Sequence, residues 1–211
     1  MTTPEAPANP FATHPNEDPD HLAARQSRID FAAKAEEIRN AAHWSDSYKA
    51  EQLAELYQEH VQEVAGAYER VTERRRARLD YLTSLVPSGP GIPDDVSPAD
   101  RAVLIAAFRT ALDTAKAAPR EQRGRLLAEA ARYGDTAMQR AVLQHASDSG
   151  DVHLVNSWVA ETHGVRGFSD EKRQLTSALN SGPGKGGWSG WDFKDFHTPP
   201  VPPEVARAVS P

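Results

Sequence analysis

The chain has 211 residues, of which 39% are hydrophobic and 26% are charged, and its formal net charge is −6. That charge argues against a bulk attraction to nucleic acid or to acidic membranes. Cysteine is absent, which excludes disulfides, thiolate metal sites and cysteine nucleophiles. The apolar runs are far shorter than the ~20 residues that a membrane span needs. We therefore expect a cytoplasmic protein with no membrane partner.

The N-terminal segment, residues 1–19, is rich in proline. Proline fixes φ and removes a backbone donor, so this segment fits neither a helix nor a central strand. The composition predicts a disordered leader, and a docking segment around Phe11 is the functional alternative. The prolines of the segment are Pro4, Pro7, Pro10, Pro15 and Pro19.

Two helices of unequal length are predicted next, over residues 20–42 and 46–86. Asp20 is the expected N-cap of the first. The second contains no proline, and its apolar residues recur every three or four positions, as in a coiled-coil seam. We expect an antiparallel, coiled-coil-like hairpin over 20–86. The shorter helix covers only half of the longer one, so the second half either projects into solvent or meets another chain, and this mismatch favours an oligomer. The predicted oligomer seam consists of Tyr57, Val61, Val64, Tyr68, Val71 and Leu82.

A cluster of arginines lies where this seam weakens, and two of its members, Arg75 and Arg78, fall on seam positions. Five arginines within nine residues could bind phosphates. Glu69 and Glu73 are interleaved with them, and pairs three or four residues apart on a helix can form salt bridges. Both interpretations stay open: a salt-bridged face or a nucleic-acid surface. The cluster consists of Arg70, Arg74, Arg75, Arg76 and Arg78.

Residues 35–57 resemble the helix–turn–helix start of small helical proteins from the structural-gene regions of tailed phages and prophages. Trp44 and Tyr48 depart from that pattern, where it has an aliphatic residue and a glycine. The resemblance implies a virion or assembly role and identifies no active residue. The matching positions are Ile38, Asn40, Ser45, Lys49 and Leu53.

Residues 87–97 carry several prolines and glycines and predict a linker. Ser97 and Pro98 then form a strong helix start. Helices are predicted over 99–118, 120–133, 136–147, 152–163 and 170–180. Gly134-Asp135 recurs sixteen residues later as Gly150-Asp151, with glycine ending one helix and aspartate capping the next. Residues 98–181 are predicted to form a compact helical bundle, with a short helical solenoid as the alternative.

The C-terminal segment, residues 182–211, joins a glycine-rich tether to an aromatic stretch and then to prolines. Large aromatic side chains are rare in disordered tails, because nothing buries them there. They could anchor this segment in the groove of a partner. Alternatively, the segment folds back over its own helical bundle. The candidate partner-binding residues are Trp188, Trp191, Phe193 and Phe196.

Catalytic and cofactor signatures are weak. Lys185 lies in a glycine-rich run but is followed by Gly186, so the phosphate-loop pattern fails. His145, His153 and His163 are eight and ten residues apart, whereas metal ligands on one helix face need a spacing of three or four. We expect no catalytic residue, no cofactor and no metal site.

The sequence therefore predicts an all-α protein: a long helical hairpin, a small helical bundle, a disordered N-terminus and an aromatic C-terminal tail. The expected function is a non-enzymatic, oligomeric assembly or scaffold-type component of phage or prophage origin, in the cytoplasm or incorporated in a virion. Its expected partners are other copies of itself and other proteins bound by the tail. The alternative is a nucleic-acid-associated protein that uses residues 70–78.

Overall fold

The computed structural model describes residues 6–182 and 190–209, and the regular elements in these ranges are α-helices. The predicted all-α class is confirmed. No helix within the described ranges is long and apolar enough to cross a bilayer. The helices are α1 (Pro19–Asn40), α2 (Asp46–Leu85), α3 (Pro98–Ala117), α4 (Arg120–Tyr133), α5 (Thr136–Asp148), α6 (Val152–His163), α7 (Phe168–Leu179), α8 (Gly190–Phe196) and α9 (Pro203–Val209).

The chain divides into two compact units. Unit 1 comprises Met1–Arg78 and Leu175–Pro211, and unit 2 comprises Leu79–Gln174. This division differs from the expected one in three ways, the first being that the end of α7 from Leu175 belongs to unit 1, although the bundle was expected over 98–181. The boundary falls inside α2 rather than in the proline-rich stretch 87–97. The C-terminal segment, expected as a free tail, belongs to the same unit as the hairpin helices.

In unit 1, α1 lies antiparallel to α2, because residues later in α1 contact residues earlier in α2. The contact surface is mostly polar at the start of α1 and becomes aromatic and aliphatic further along. Ala24 and Ala35 on this face are almost completely buried. The successive pairs are Asp20 with Arg70, Ser27 with His60, Phe31 with Tyr57 and Ala35 with Leu53.

The start of α1 differs by two residues from the prediction, and the difference concerns the charged face. Asp18, not Asp20, is the N-cap: its Oδ1 accepts the backbone N–H groups of Asp20 and His21 at 2.9 and 3.3 Å. Pro19 occupies the first turn, where a missing N–H costs nothing. The Asp20 carboxylate is therefore available to contact α2.

Both terminal segments of the chain pack on α1 and α2. At the N-terminus, Arg78 donates to the carbonyl of Pro7 at 2.7 Å and Arg25 to that of Pro15 at 3.0 Å. At the C-terminus, the Tyr57 hydroxyl donates to the carbonyl of Pro199 at 2.9 Å. The described part of the expected leader is thus bound to the helices by side-chain donors from α1 and α2.

Unit 2 is arranged around α5, which packs against α3, α4 and α6. Its small and branched residues Ala141, Val142 and Leu143 are fully buried. Gly134 ends α4 in the left-handed conformation at φ 70°, which glycine adopts without strain. Arg140 of α5 donates to the carbonyl of Gly89 at 2.8 Å, which ties the proline-rich stretch to this unit.

Candidate functional site

The predicted oligomer seam is largely covered by the chain itself. Val64 and Val71 are 1% and 3% exposed and form one cluster with Ala24 of α1 and Phe196 of α8. Tyr57, Val61 and Tyr68 are half-buried, and Leu82 is fully buried. Because α1 and α8 occupy the apolar face of α2 in unit 1, that face offers little free area to a second copy.

The arginine cluster is also engaged within the chain. Arg70 and Arg74 both donate to Asp20, and Arg74 donates to Asp18 as well. Arg75, 6% exposed, donates to both carboxylate oxygens of Asp192 at 2.6 and 2.9 Å. Carboxylates thus occupy the donors that a phosphate would need. Of the remaining members, Arg78 is buried and Arg76 is exposed.

A buried ionic cluster joins α8 to α1. Asp195 is 0% exposed and accepts hydrogen bonds from the Nε and Nη2 atoms of Arg25, each at 2.8 Å. The Nδ1 atom of His21 lies 2.7 Å from Asp195 Oδ2, the oxygen that also accepts from Arg25 Nη2. Burial acts to raise the pKa of Asp195, but the bonds from Arg25 and His21 outweigh it and hold that pKa below its ordinary value.

We expect unit 1 to lose stability on acidification. Asp20 behaves like Asp195: burial acts to raise its pKa, but the hydrogen bonds from Arg70 and Arg74 hold that pKa below its ordinary value. A carboxylate with a lower pKa in the folded state contributes stability that is complete above its unfolded pKa of about 3.9. That contribution is lost as pH falls through the folded pKa. Urea unfolding at pH 7, 5, 4 and 3 should therefore show the loss below about pH 4. The Asp195→Asn variant lacks that carboxylate and should therefore lose less stability over the same pH range. An equal loss of stability would contradict this assignment.

The candidate partner-binding aromatic residues of the tail lie in different environments. Phe196 is 2% exposed and packs inside unit 1, so it cannot serve as a free anchor. Trp191 and Phe193 remain partly exposed. Trp188 lies outside the described residues. The segment folds back, and the contacts of its described part are with α1 and α2 of unit 1, whereas the alternative expected them with the helical bundle.

Histidines in the described part of the chain form no cluster of three or more metal-ligating groups with aspartate or glutamate. His60 is 3% exposed, stacks on Phe31 at 5.0 Å and contacts Ser27 Oγ through Nδ1. Burial lowers the pKa of His60, and the charge of Arg28 acts in the same direction. His60 is therefore a neutral packing residue of the helix pair.

An open groove of unit 2 lies between α4 and α6 and has a volume of about 710 Å³. We call it the α4–α6 groove. The two helices run side by side in the same direction, since Arg120 at the start of α4 bonds Asp151 at the start of α6 at 3.0 Å. The apolar lining of the groove consists of Gly124, Leu127, Ala128 and Ala131 of α4 and of Leu154 and Trp158 of α6.

The α4 wall of this groove presents small residues to solvent. Gly124, Ala128 and Ala131 are all exposed, at positions i, i+4 and i+7. A Cβ atom added at Gly124 would lie 3.8 Å from the side chain of Leu154. Trp158 is half-buried in the opposite wall. Small residues facing a large aromatic leave space for side chains of a partner and allow its backbone to approach.

The charge at the rim of the α4–α6 groove is acidic. Asp151 is neutralised by Arg120 at 3.0 Å and by Arg123 at 3.8 Å. Within the described ranges, neither Glu121 nor Glu161 makes an ion pair. Asp151, predicted as the cap of α6, makes no side-chain hydrogen bond to that helix. The three carboxylates Asp151, Glu121 and Glu161 carry three negative charges and the two arginines carry two positive ones, which leaves a net charge of −1, so the rim is weakly negative.

Comparison with known proteins gives no match: no family model, curated protein or solved structure is similar to this chain. The resemblance of residues 35–57 to phage structural-gene proteins stays a prediction.

Proposed function

We propose that this chain is an interaction component of a protein assembly, and that its α4–α6 groove receives an amphipathic helix from another protein. The single observation that carries the proposal is the groove itself, an open cleft of about 710 Å³ with an apolar floor and an acidic rim. Amphipathic helices are recognised by such clefts through anchors at i, i+3 or i+4 and i+7.

The partner helix should carry apolar anchors and basic flanks. Trp158 and Leu154 supply the apolar area that an anchor side chain would cover. Glu121 and Glu161 favour lysine or arginine on either side of those anchors, since charge complementarity guides orientation and rejects acidic partners. A partner helix without basic residues is an outcome that the test below distinguishes.

Selection of helical peptides on the full-length chain tests this proposal. We expect enriched sequences to share an apolar stripe of helical spacing flanked by basic residues. Trp158→Ala should weaken their binding by about 30-fold, as expected for an aromatic residue at the centre of an interface. Ala128→Trp should fill the groove and weaken binding by at least about tenfold. Fluorescence anisotropy on the purified variants measures both.

The matched control is Val103→Ala on α3, since Val103 is 66% exposed and does not line the groove. This variant should bind the selected peptides as the parent chain does. Peptides without helical periodicity, or binding that survives Ala128→Trp, would refute the proposed mode. Circular dichroism of each variant confirms that α4 and α6 remain folded.

A further inference from the structure

A second cavity lies in unit 1, has a volume of about 310 Å³ and is formed by parts of the chain that are far apart in sequence. We call it the aromatic pocket. One wall comes from the N-terminal segment and α8, and the other from the start of α1 and the second half of α2. The residues that matter here are Phe11, His14, Trp191, His21, Arg75 and Asp192.

The first wall is aromatic and partly open. Phe11 is 38% exposed and Trp191 37% exposed, and His14 meets the Trp191 ring edge-on at a centroid distance of 5.4 Å. Cations lie over both larger rings: Arg75 is 5.7 Å from the Phe11 centroid and Lys194 is 4.5 Å from that of Trp191. Exposed rings held in place in this way can pack against another planar ring.

The second wall holds a histidine with one nitrogen left without a hydrogen bond. His21 is 4% exposed, and its Nδ1 contacts the Asp195 carboxylate at 2.7 Å. The ionised carboxylate can only accept, so Nδ1 carries a proton, and Nε2 is the ring atom that can accept a hydrogen bond from a ligand when it carries no proton itself. The Asp192 oxygen nearest to Nε2 is 4.0 Å away, beyond hydrogen-bond distance. Both oxygens of Asp192 already accept from Arg75.

We propose that the aromatic pocket binds a small planar aromatic ligand that carries one hydroxyl or N–H donor, of which a phenol is the simplest. The ring would pack against Trp191 and Phe11, and the donor would bond to Nε2 of His21. Ligand pockets span about 300–1,000 Å³, so this cavity suits a single-ring ligand. This inference does not depend on the α4–α6 groove. A free phenol and the tyrosyl side chain of a peptide share the required chemistry.

Titration of the full-length chain with p-cresol and with p-methylanisole, followed by ligand-observed NMR, tests the donor. The two probes have the same ring, but only p-cresol can donate. We expect p-cresol to bind about five- to tenfold more tightly, the effect of one net hydrogen bond. The peptide Gly-Tyr-Gly then separates the sources: binding at least equal to that of p-cresol indicates a peptide ligand, and much weaker binding indicates a free phenol.

Three variants place the site. Trp191→Ala should abolish binding of both probes, because it removes the aromatic wall. His21→Phe should remove the preference for p-cresol, and if this variant fails to fold, Trp191→Ala decides. The matched control is Phe193→Ala, since Phe193 is on the same helix, 52% exposed and outside the pocket. Equal affinity for the two probes, or p-cresol binding that survives Trp191→Ala, would overturn the proposal.

Discussion

Asp195→Ala is expected to lower the free energy of unfolding of unit 1 by about 3 kcal/mol. The carboxylate is 0% exposed, and its removal leaves the guanidinium of Arg25 and the imidazole of His21 without their anionic partner. Removing one member of a buried ion pair is costly because the charge that remains is desolvated and unpaired. Urea unfolding followed by circular dichroism measures this loss.

The control for this variant is Glu36→Ala. Glu36 also belongs to unit 1 and pairs with an arginine, Arg39, but the two side chains are 67% and 39% exposed. An exposed pair contributes about 0–1 kcal/mol, because water screens it. If the two variants lost the same stability, Asp195 would not be part of a buried cluster that fastens α8 to α1.

The second large effect is expected for Phe196→Ala, which should destabilise unit 1 by about 3–5 kcal/mol. The ring is 2% exposed and packs against Ala24, Val64 and Val71. Truncation removes its apolar contacts and leaves a cavity between α8 and the two long helices. The midpoint of urea unfolding should fall accordingly, and the probe should again be circular dichroism.

Phe193→Ala is the control for Phe196→Ala. Phe193 is on the same helix but 52% exposed, so its truncation should change stability by no more than about 0.5 kcal/mol. Similar, small effects of both changes would mean that α8 is not held by this cluster. The C-terminal segment would then be free to bind a partner, as the first interpretation of its aromatic residues proposed.

The helices before residue 180 could be predicted closely, because their signals are local. Ser97 and Pro98 start α3 as predicted, and the Ser97 hydroxyl accepts the N–H of Asp100 at 3.2 Å. Gly134 and Gly164 end α4 and α6 in the left-handed conformation. Each of these ends depends on two or three neighbouring residues, which a sequence displays directly.

The arrangement of unit 1 could not be predicted, because it depends on residues far apart in the chain. Arg75 bonds Asp192, 117 positions later, and Arg74 bonds Asp18, 56 positions earlier. Five arginines within nine residues fit both phosphate binding and salt-bridge pairing when the positions of the carboxylates in the fold are unknown. One signal was present: Arg75 and Arg78 fall on buried seam positions, and buried arginines are normally paired.

The α4–α6 groove could be predicted from the sequence even less than the arrangement of unit 1. Ala128 and Ala131 are as suited to a helix interior as to an open wall, because small residues fit both. Their exposure follows from α5, which packs against one side of α4 and of α6 and leaves the facing sides uncovered. Trp158 likewise belongs to the apolar cluster of unit 2 and to the groove at once.

Of the predicted partner-binding residues, Phe196 packs inside unit 1, and we propose that the α4–α6 groove of unit 2 is the partner surface. Hydrogen exchange of the full-length chain, alone and with a selected basic amphipathic peptide, tests it most directly. We predict protected amides in α8 of the lone chain and added protection in α4 and α6 when the peptide is bound. Free exchange in α8 of the lone chain, with protection there only after the peptide is added, would contradict the account and make the C-terminal segment the binding element.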